Sequence, residues 1–263
     1  MTLSPYPFVF VSPGTRGLSL ALVRHFLRTT RLPIYTTYRR GTPESVTEDI
    51  TSGLKDDEKT RVKTLRLDLT QESTIADAAD ALARALPKDK DPYLHTAFIT
   101  GGVLYPERQP ADLDFRKIEE TFRINTISHL LMIKHFSQFL PSSRATMPPN
   151  HFSKWIHVSA RVGSVSDNKL GGWFSYRASK SAINQIVKTF DLDLKHRRAR
   201  AICVGVHPGT VKTELSREFW GSVKEGGLFE KEYAAEKMIE MVQNLEEKQR
   251  GRIWDWEGKE INP

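Results

Sequence analysis

A chain of 263 residues, 39% of them hydrophobic, is long enough to bury one large core. Its single cysteine, Cys203, excludes a disulfide framework and a CxxC metal site, and no run of about 18 apolar residues offers a transmembrane helix. The 39 basic side chains outnumber the 32 acidic ones, which suits nucleic acid, a membrane surface or a phosphorylated small molecule; no zinc-finger spacing or aromatic-and-basic RNA motif accompanies them, so neither nucleic acid nor membrane is read as a partner.

The first stretch, "MTLSPYPFVFV", has no charged region before its apolar run and reads as a first strand rather than a signal peptide. From there short apolar runs alternate with longer amphipathic segments. Strands are predicted over 8–12, 33–38, 63–68, 96–100, 155–159 and 201–207. Helices are predicted near 17–30, 43–54, 71–86, 114–140, 175–197 and 231–249. "LPKDKDP" (86–92) and "PSSRATMPPN" (141–150) read as solvated connections, and "GRIWDWEGKEI" as one more strand and a tail. The cluster "KHRRAR" (195–200) closes a helix, where cations complement the dipole. Cys203, inside "AICVGV", reads as a small buried hydrophobe, compatible with a cytoplasmic protein. Strand–helix alternation at this spacing predicts an α/β fold: a single Rossmann-like domain over 1–263, with a doubly wound parallel sheet and helices on both faces. Ligands of such sheets bind beyond the carboxyl ends of the strands.

The first strand runs into "VSPGTRGLSLAL", a Gly-rich turn opening a helix. That is the context of a dinucleotide fingerprint, in which backbone N–H groups and the helix N-terminus face a pyrophosphate. Alone, the pattern also fits an ordinary turn. The second strand ends in Arg39 and Arg40. Guanidinium matches a ribose 2′-phosphate as a fork, and Arg16 adds a third positive charge, so NADP(H) is favoured over NAD(H). In "GGWFSYRASKSAINQIV", Tyr176 and Lys180 are four residues apart on a helical pattern and share a face. An ammonium beside a phenol lowers its pKa, and such a tyrosine can protonate a carbonyl oxygen. Spacing alone equally fits an exposed pair. His157 and His207 fall in strands and read as packed histidines with no metal or catalytic role.

Over residues 7 to 258 the chain resembles the short-chain dehydrogenase/reductase family, with "SYRASKSA", "LDLT", "FRINTISHLL" and "HPGTVKTEL" in the family's order. "RVGSVSDNKLGGW", "SYRASK" and "WDWEGK" look closer to the C-factor and sniffer-like carbonyl reductases. The resemblance implies Tyr176 as acid–base, Lys180 as the residue that fixes the ribose and lowers the tyrosine pKa, and Asn125 as holder of a relay water. It implies cofactor contacts from Ser12, Gly14, Thr15, Arg16, Gly17 and Leu18, from Asp68 and Leu69 at the adenine, and from Gly101 and Gly102. It implies further contacts from Pro208, Gly209, Val211 and Thr213 at the nicotinamide end. It also implies pairing of two copies through the helices at 114–140 and 175–197.

Three departures stand out. The family's T-G-x-x-x-G-x-G reads Ser12-Pro13-Gly14-Thr15-Arg16-Gly17-Leu18-Ser19, with two glycines replaced. Its N-N-A-G reads Ile99-Thr100-Gly101-Gly102, losing the bracing asparagine, for which Thr100 offers one hydroxyl. Its catalytic serine reads Ala160; one such donor is worth about 10²–10³ in rate. Ser164 is the candidate substitute, although a loop serine more often caps backbone groups. The segment 214–230, with Phe219, Trp220, Leu228 and Phe229 among its glycines, is expected to form a substrate lid, and Trp173 and Phe174 an aromatic wall. The expected activity is NADP(H)-dependent reduction of an apolar or aromatic carbonyl, or oxidation of the matching alcohol. An NADP-binding protein with little catalysis, and a specialised biosynthetic or isomerising enzyme, remain open.

Overall fold

The computed structural model describes residues 3–143, 145–148 and 151–263. Arg144, Pro149 and Asn150 of the expected 141–150 loop lie outside the described residues. The strands are β1 (Ser4–Ser12), β2 (Ile34–Tyr38), β3 (Val62–Arg66), β4 (Lys90–Ile99), β5 (Ser153–Val158), β6 (Ala201–His207), β7 (Thr210–Val211), β8 (Leu228–Phe229), β9 (Ile253–Asp255) and β10 (Glu260–Ile261). The helices are α1 (Gly17–Thr29), α2 (Pro43–Thr51), α3 (Asp56–Lys59), α4 (Glu72–Ala85), α5 (Phe115–Phe122), α6 (Ser128–Phe136), α7 (Phe174–His196) and α8 (Lys231–Gln243).

Eight strands form one sheet in the order β10-β9-β6-β5-β4-β1-β2-β3. Every pair in it is parallel except β9 with β10. The alternation of side chains along β1 shows why both faces are covered. Phe8 and Phe10 join a core with Ile75, Leu82, Met132, Phe136, Trp155, Ile183 and Val187. Val9 and Val11 join a second core with Leu22, Phe26, Val46, Phe98, Ile156, Val204 and Met238. Helices α4, α6 and α7 therefore cover one face, and α1, α2 and α8 the other.

Four expectations need adjusting. β4 begins at Lys90, inside the stretch expected to be a solvated connection, because β1 is longer than its apolar run and pairs Ser4 with Lys90 and Tyr6 with Pro92. Pairing here overrides the local charge and proline content. The expected helix at 114–140 is α5 and α6 joined by a π turn, Arg123–Ile127, followed by a short 3₁₀ turn, Ser137–Phe139. The last helix stops at Gln243, and its expected remainder is a 3₁₀ turn, Glu247–Gln249. The C-terminal segment supplies a hairpin, β9–β10, rather than one strand.

No helix among the described residues is long and apolar enough to cross a membrane. Cys203 is free and fully buried, and burial pushes its thiol well above the ordinary value.

Candidate active site

The carboxyl ends of β1, β4, β5 and β6 lie side by side, and the Gly-rich turn, Gly101–Gly102, Ala160 and Pro208–Gly209 follow them in turn. After β1, Gly14 donates its N–H to Thr37 O at 3.0 Å. A Cβ on Gly14 would lie 1.7 Å from Thr36 Oγ1, so only glycine fits there. Gly17 (φ +55°) opens α1, whose first turn has neither a side-chain cap nor an acidic residue. Its N–H groups therefore face outward into a field suited to an anion. A Cβ on Gly17 would lie 3.3 Å from Thr213 Cγ2, so the loop after β6 closes over the turn after β1.

The two altered motifs meet. Ser19 Oγ, in the family's third-glycine position, lies 2.8 Å from Thr100 Oγ1, in its asparagine position. The Thr100 hydroxyl also contacts Ser12 O at 3.1 Å and Pro13 O at 3.2 Å. Ser12 Oγ pairs with Thr37 Oγ1 at 2.7 Å.

Arg39 and Arg40 follow β2 and are exposed. Burial alone would raise the Asp68 carboxyl. Hydrogen bonds from the Thr70 N–H and hydroxyl, with Arg39 and Arg40 nearby, hold it below the ordinary value. Leu69 packs against the turn after β4: a Cβ on Gly101 would lie 2.5 Å from Leu69 Cδ1.

Asn125 lies in the π turn, where Ser128 N–H bonds back to Arg123 O; such turns recur at functional sites. Its side chain is committed: Oδ1 accepts from Val103 N–H at 2.8 Å, and Nδ2 donates to Val103 O at 2.9 Å and Ser179 Oγ at 3.1 Å.

Tyr176 and Lys180 stand on the first turns of α7, both buried. Lys180 Nζ lies 5.7 Å from the Tyr176 ring centroid and donates to Val158 O at 2.8 Å. The expected lowering of the tyrosine pKa is not what this geometry gives. Burial pushes the phenol up to about 12 and the ammonium down to about 8. Loss of hydration is the cause of both shifts.

The N-terminus of α7 is held by a residue that sequence reading did not find. Glu107, buried, accepts from Ser175 N–H at 2.7 Å and Ser175 Oγ at 2.6 Å, and its main-chain O accepts from Trp173 N–H at 2.6 Å. It thereby fixes the turn carrying Tyr176. It also fixes Trp173 in the left-handed region (φ 50°, ψ 47°), which costs an L-residue about 1–2 kcal/mol. Glu107 and Ser175 are 68 residues apart, and no local pattern links them.

Ala160 follows β5, with Ser159 Oγ turned away to Asn184 Oδ1 at 2.7 Å. Ser164 is buried in its own turn: its Oγ accepts from Asp167 N–H at 3.1 Å and lies 3.2 Å from Ser166 Oγ. That is the capping arrangement.

The segment after β6 is tied at both ends by β7–β8, while Glu214–Ser222 is a 3₁₀ helix. The Phe219 ring sits 4.6 Å from Trp173, which stands edge-on to Tyr176 at 6.1 Å. Of the other expected aromatics, Trp220 bonds to Ser216 Oγ within the segment, Phe174 is exposed, and Phe229 packs on Trp256. His157 is buried and hydrogen-bonded as expected, whereas His207 Nδ1 is buried without a partner among the described residues.

Comparison with known proteins agrees with this arrangement. The chain is 31% identical over 185 residues to 1-hydroxy-2-glutathionyl-2-methyl-3-butene dehydrogenase of Rhodococcus sp. (strain AD45), covering 70% of this chain and 75% of that one. It superposes on the carbonyl reductase Sniffer of D. melanogaster with a TM-score of 0.83 at 22% identity over both whole chains. It superposes on an NADPH-bound carbonyl reductase from chicken fatty liver with a TM-score of 0.81 at 23% identity, covering 99% and 100%. The two structures share the fold, including the sniffer-type likeness expected from sequence. The short chain dehydrogenase family model matches residues 7–223, which include the Gly14 turn, Asn125, Tyr176, Lys180 and the Pro208–Gly209 turn. This chain belongs to the short-chain dehydrogenase family.

Proposed function

We propose that the protein is an NADP(H)-dependent oxidoreductase that reduces an apolar or aromatic carbonyl, or oxidises the matching alcohol. One observation carries the reading. A Cβ on Gly102 would lie 3.8 Å from both Lys180 Nζ and Asn125 Oδ1, so these two side chains border a turn stripped of side chains, which suits a ribose. Gly14, Gly17 and the uncapped start of α1 suit a pyrophosphate; Ser12, Thr15, Arg16 and Leu18 complete that loop. Asp68 and Leu69 suit the adenine. Arg39 and Arg40 suit a 2′-phosphate. Pro208, Gly209, Val211 and Thr213 suit the nicotinamide end. When bound, the cofactor supplies or accepts the hydride.

The remaining chemistry belongs to the chain. A phenol at about 12 is protonated at neutral pH, and Tyr176 Oη gives that proton to the substrate oxygen. Lys180 fixes the ribose and, once turned toward the phenol, favours the phenolate left behind. Asn125, in the π turn beside Lys180 and Gly102, holds the relay water. Trp173 and Phe219 wall the substrate and exclude solvent. Two copies pair through α5, α6 and α7, in keeping with exposed Ile127, Leu130 and Leu192. The protein is assigned to the cytoplasm.

NADPH oxidation against a panel of aromatic aldehydes, ketones and α-dicarbonyls, with Tyr176→Phe as control, tests the reading. Oxidation that depends on Tyr176 supports it. Tight NADPH binding without turnover would instead support the second reading, a cofactor-binding protein with little catalysis, which Ala160 and the committed Ser164 hydroxyl favour.

A further inference from the structure

The turn after β4 is held by a row of buried side chains to which the family resemblance gave no role. Trp155 Nε1 donates to His157 Nε2 at 2.9 Å, His157 Nδ1 lies 2.8 Å from His129 Nδ1, and His129 Nε2 lies 3.0 Å from Gly101 O. All three side chains are fully buried.

Donor inventory fixes every proton in this chain. An indole N–H only donates, so His157 Nε2 must carry a lone pair. Neutral His157 then has its proton on Nδ1 and donates to His129 Nδ1. Neutral His129 has its proton on Nε2 and donates to Gly101 O, which only accepts. The order Trp155, His157, His129, Gly101 leaves no group unsatisfied. A proton added to either imidazole would set N–H against N–H. Burial and the nearby Lys180 ammonium oppose that proton, holding His129 down to about 3 and His157 well below its ordinary value.

Placement gives the chain its purpose. His129, on α6, is four residues beyond Asn125 in the π turn that leads into that helix. Asn125 grips Val103 through both its N–H and its carbonyl, and His129 grips Gly101. Gly102, between the two grips, borders Lys180 Nζ.

We propose that His129 and His157 are positioning residues for the cofactor. Their relay sets the Gly101 carbonyl, and with it the Gly102 turn, taking over the brace lost with the family's asparagine. The proposal rests on the reading above that this turn receives the cofactor ribose.

Two measurements test it. In the wild type without cofactor, histidine ¹⁵N shifts at pH 6 should show one neutral Nδ1–H and one neutral Nε2–H imidazole, assigned by loss of signals in the variants. Two identical tautomers, or a charged imidazole, would overturn the relay whether or not NADPH binds. The second is NADPH titration with thermal melts for His129→Phe, His129→Gln and Trp155→Phe. His129→Phe loses both of its buried hydrogen bonds, and loss of the one to Gly101 O should raise the NADPH Kd about tenfold, a larger effect than that on kcat at saturating cofactor. His129→Gln, whose amide keeps an acceptor and a donor, should recover most of the affinity. Trp155→Phe, which frees the far end of the relay, should weaken binding about threefold. Variants that melt lower yet bind NADPH as the wild type does would reduce the histidines to packing and overturn the proposal. If His129→Phe does not fold, the Gln and Trp155 variants decide. Failure of the wild type itself to bind NADPH would sink the functional reading and leave the relay to the tautomer measurement.

Discussion

At the exit of β4, Thr100 stands where the family's pattern has asparagine, and its hydroxyl meets Ser19, itself a replacement for a family glycine, at 2.8 Å. At the exit of β5, Ala160 stands where the pattern has serine, and the following serine, Ser164, spends its hydroxyl on its own turn. The first region absorbs its departures and the second does not. A brace only has to hold backbone in place, so any donor and acceptor that reach across will serve. A donor to a reacting oxygen must lie about 3 Å from an atom whose place is set by hydride and acid together, and few positions satisfy that.

The largest effect that would break this contrast lies on the catalytic side. Tyr176→Phe should lower kcat by about 10²–10⁴, the usual worth of a general acid, with little change in NADPH affinity. A near-normal rate would place the acid elsewhere. Ala160→Ser should restore the missing donor and raise kcat by up to about 10²–10³. No gain, together with a large loss in Ser164→Ala, would show that Ser164 leaves its turn when substrate binds.

Arg39→Ala and Arg40→Ala bear on the adenosine side. Each should weaken NADPH binding by about 10- to 100-fold, the worth of a charge-assisted hydrogen bond, and leave NADH binding unchanged. Equal losses for both nucleotides would remove the 2′-phosphate assignment.

The fold was legible because its signals are local. The short apolar run of 8–12 and the helical pattern of 175–197 correspond to β1 and α7. Tyr176, Lys180 and Asn125 were legible as motifs. The residues that hold them were not. Glu107 meets Ser175 across 68 residues, and His129 meets His157 across 28, through tertiary contacts that no periodicity encodes. The desolvation of the Tyr176–Lys180 pair was not legible for a related reason. Spacing brings ammonium and phenol together, but only the fold shows that both are desolvated and that the ammonium faces Val158 O.

Acid should expose the brace as well. Unfolded His129 takes a proton near pH 6.5, whereas the folded group does so only near 3. Between these values the unfolded state binds the extra proton, so stability is lost as pH falls from 6.5 toward 3. The loss is about 1.4 kcal/mol per pH unit for this group, and His157 adds in the same direction. Denaturant melts should show His129→Gln with a shallower acid slope than the wild type; identical slopes would contradict a neutral buried imidazole. The smallest effect belongs to Ser19→Gly. One neutral hydrogen bond of about 0.5–1.5 kcal/mol should be lost, lowering Tm by a few degrees.

Direct titration of the wild-type protein with NADPH and with NADH bears most closely on the central claim. The account predicts saturable NADPH binding at least tenfold tighter than NADH, the preference that one charge-assisted contact to the 2′-phosphate supplies. Binding of neither nucleotide would mean that the Ser12–Ser19 turn no longer accepts a dinucleotide, and would contradict the account at its root.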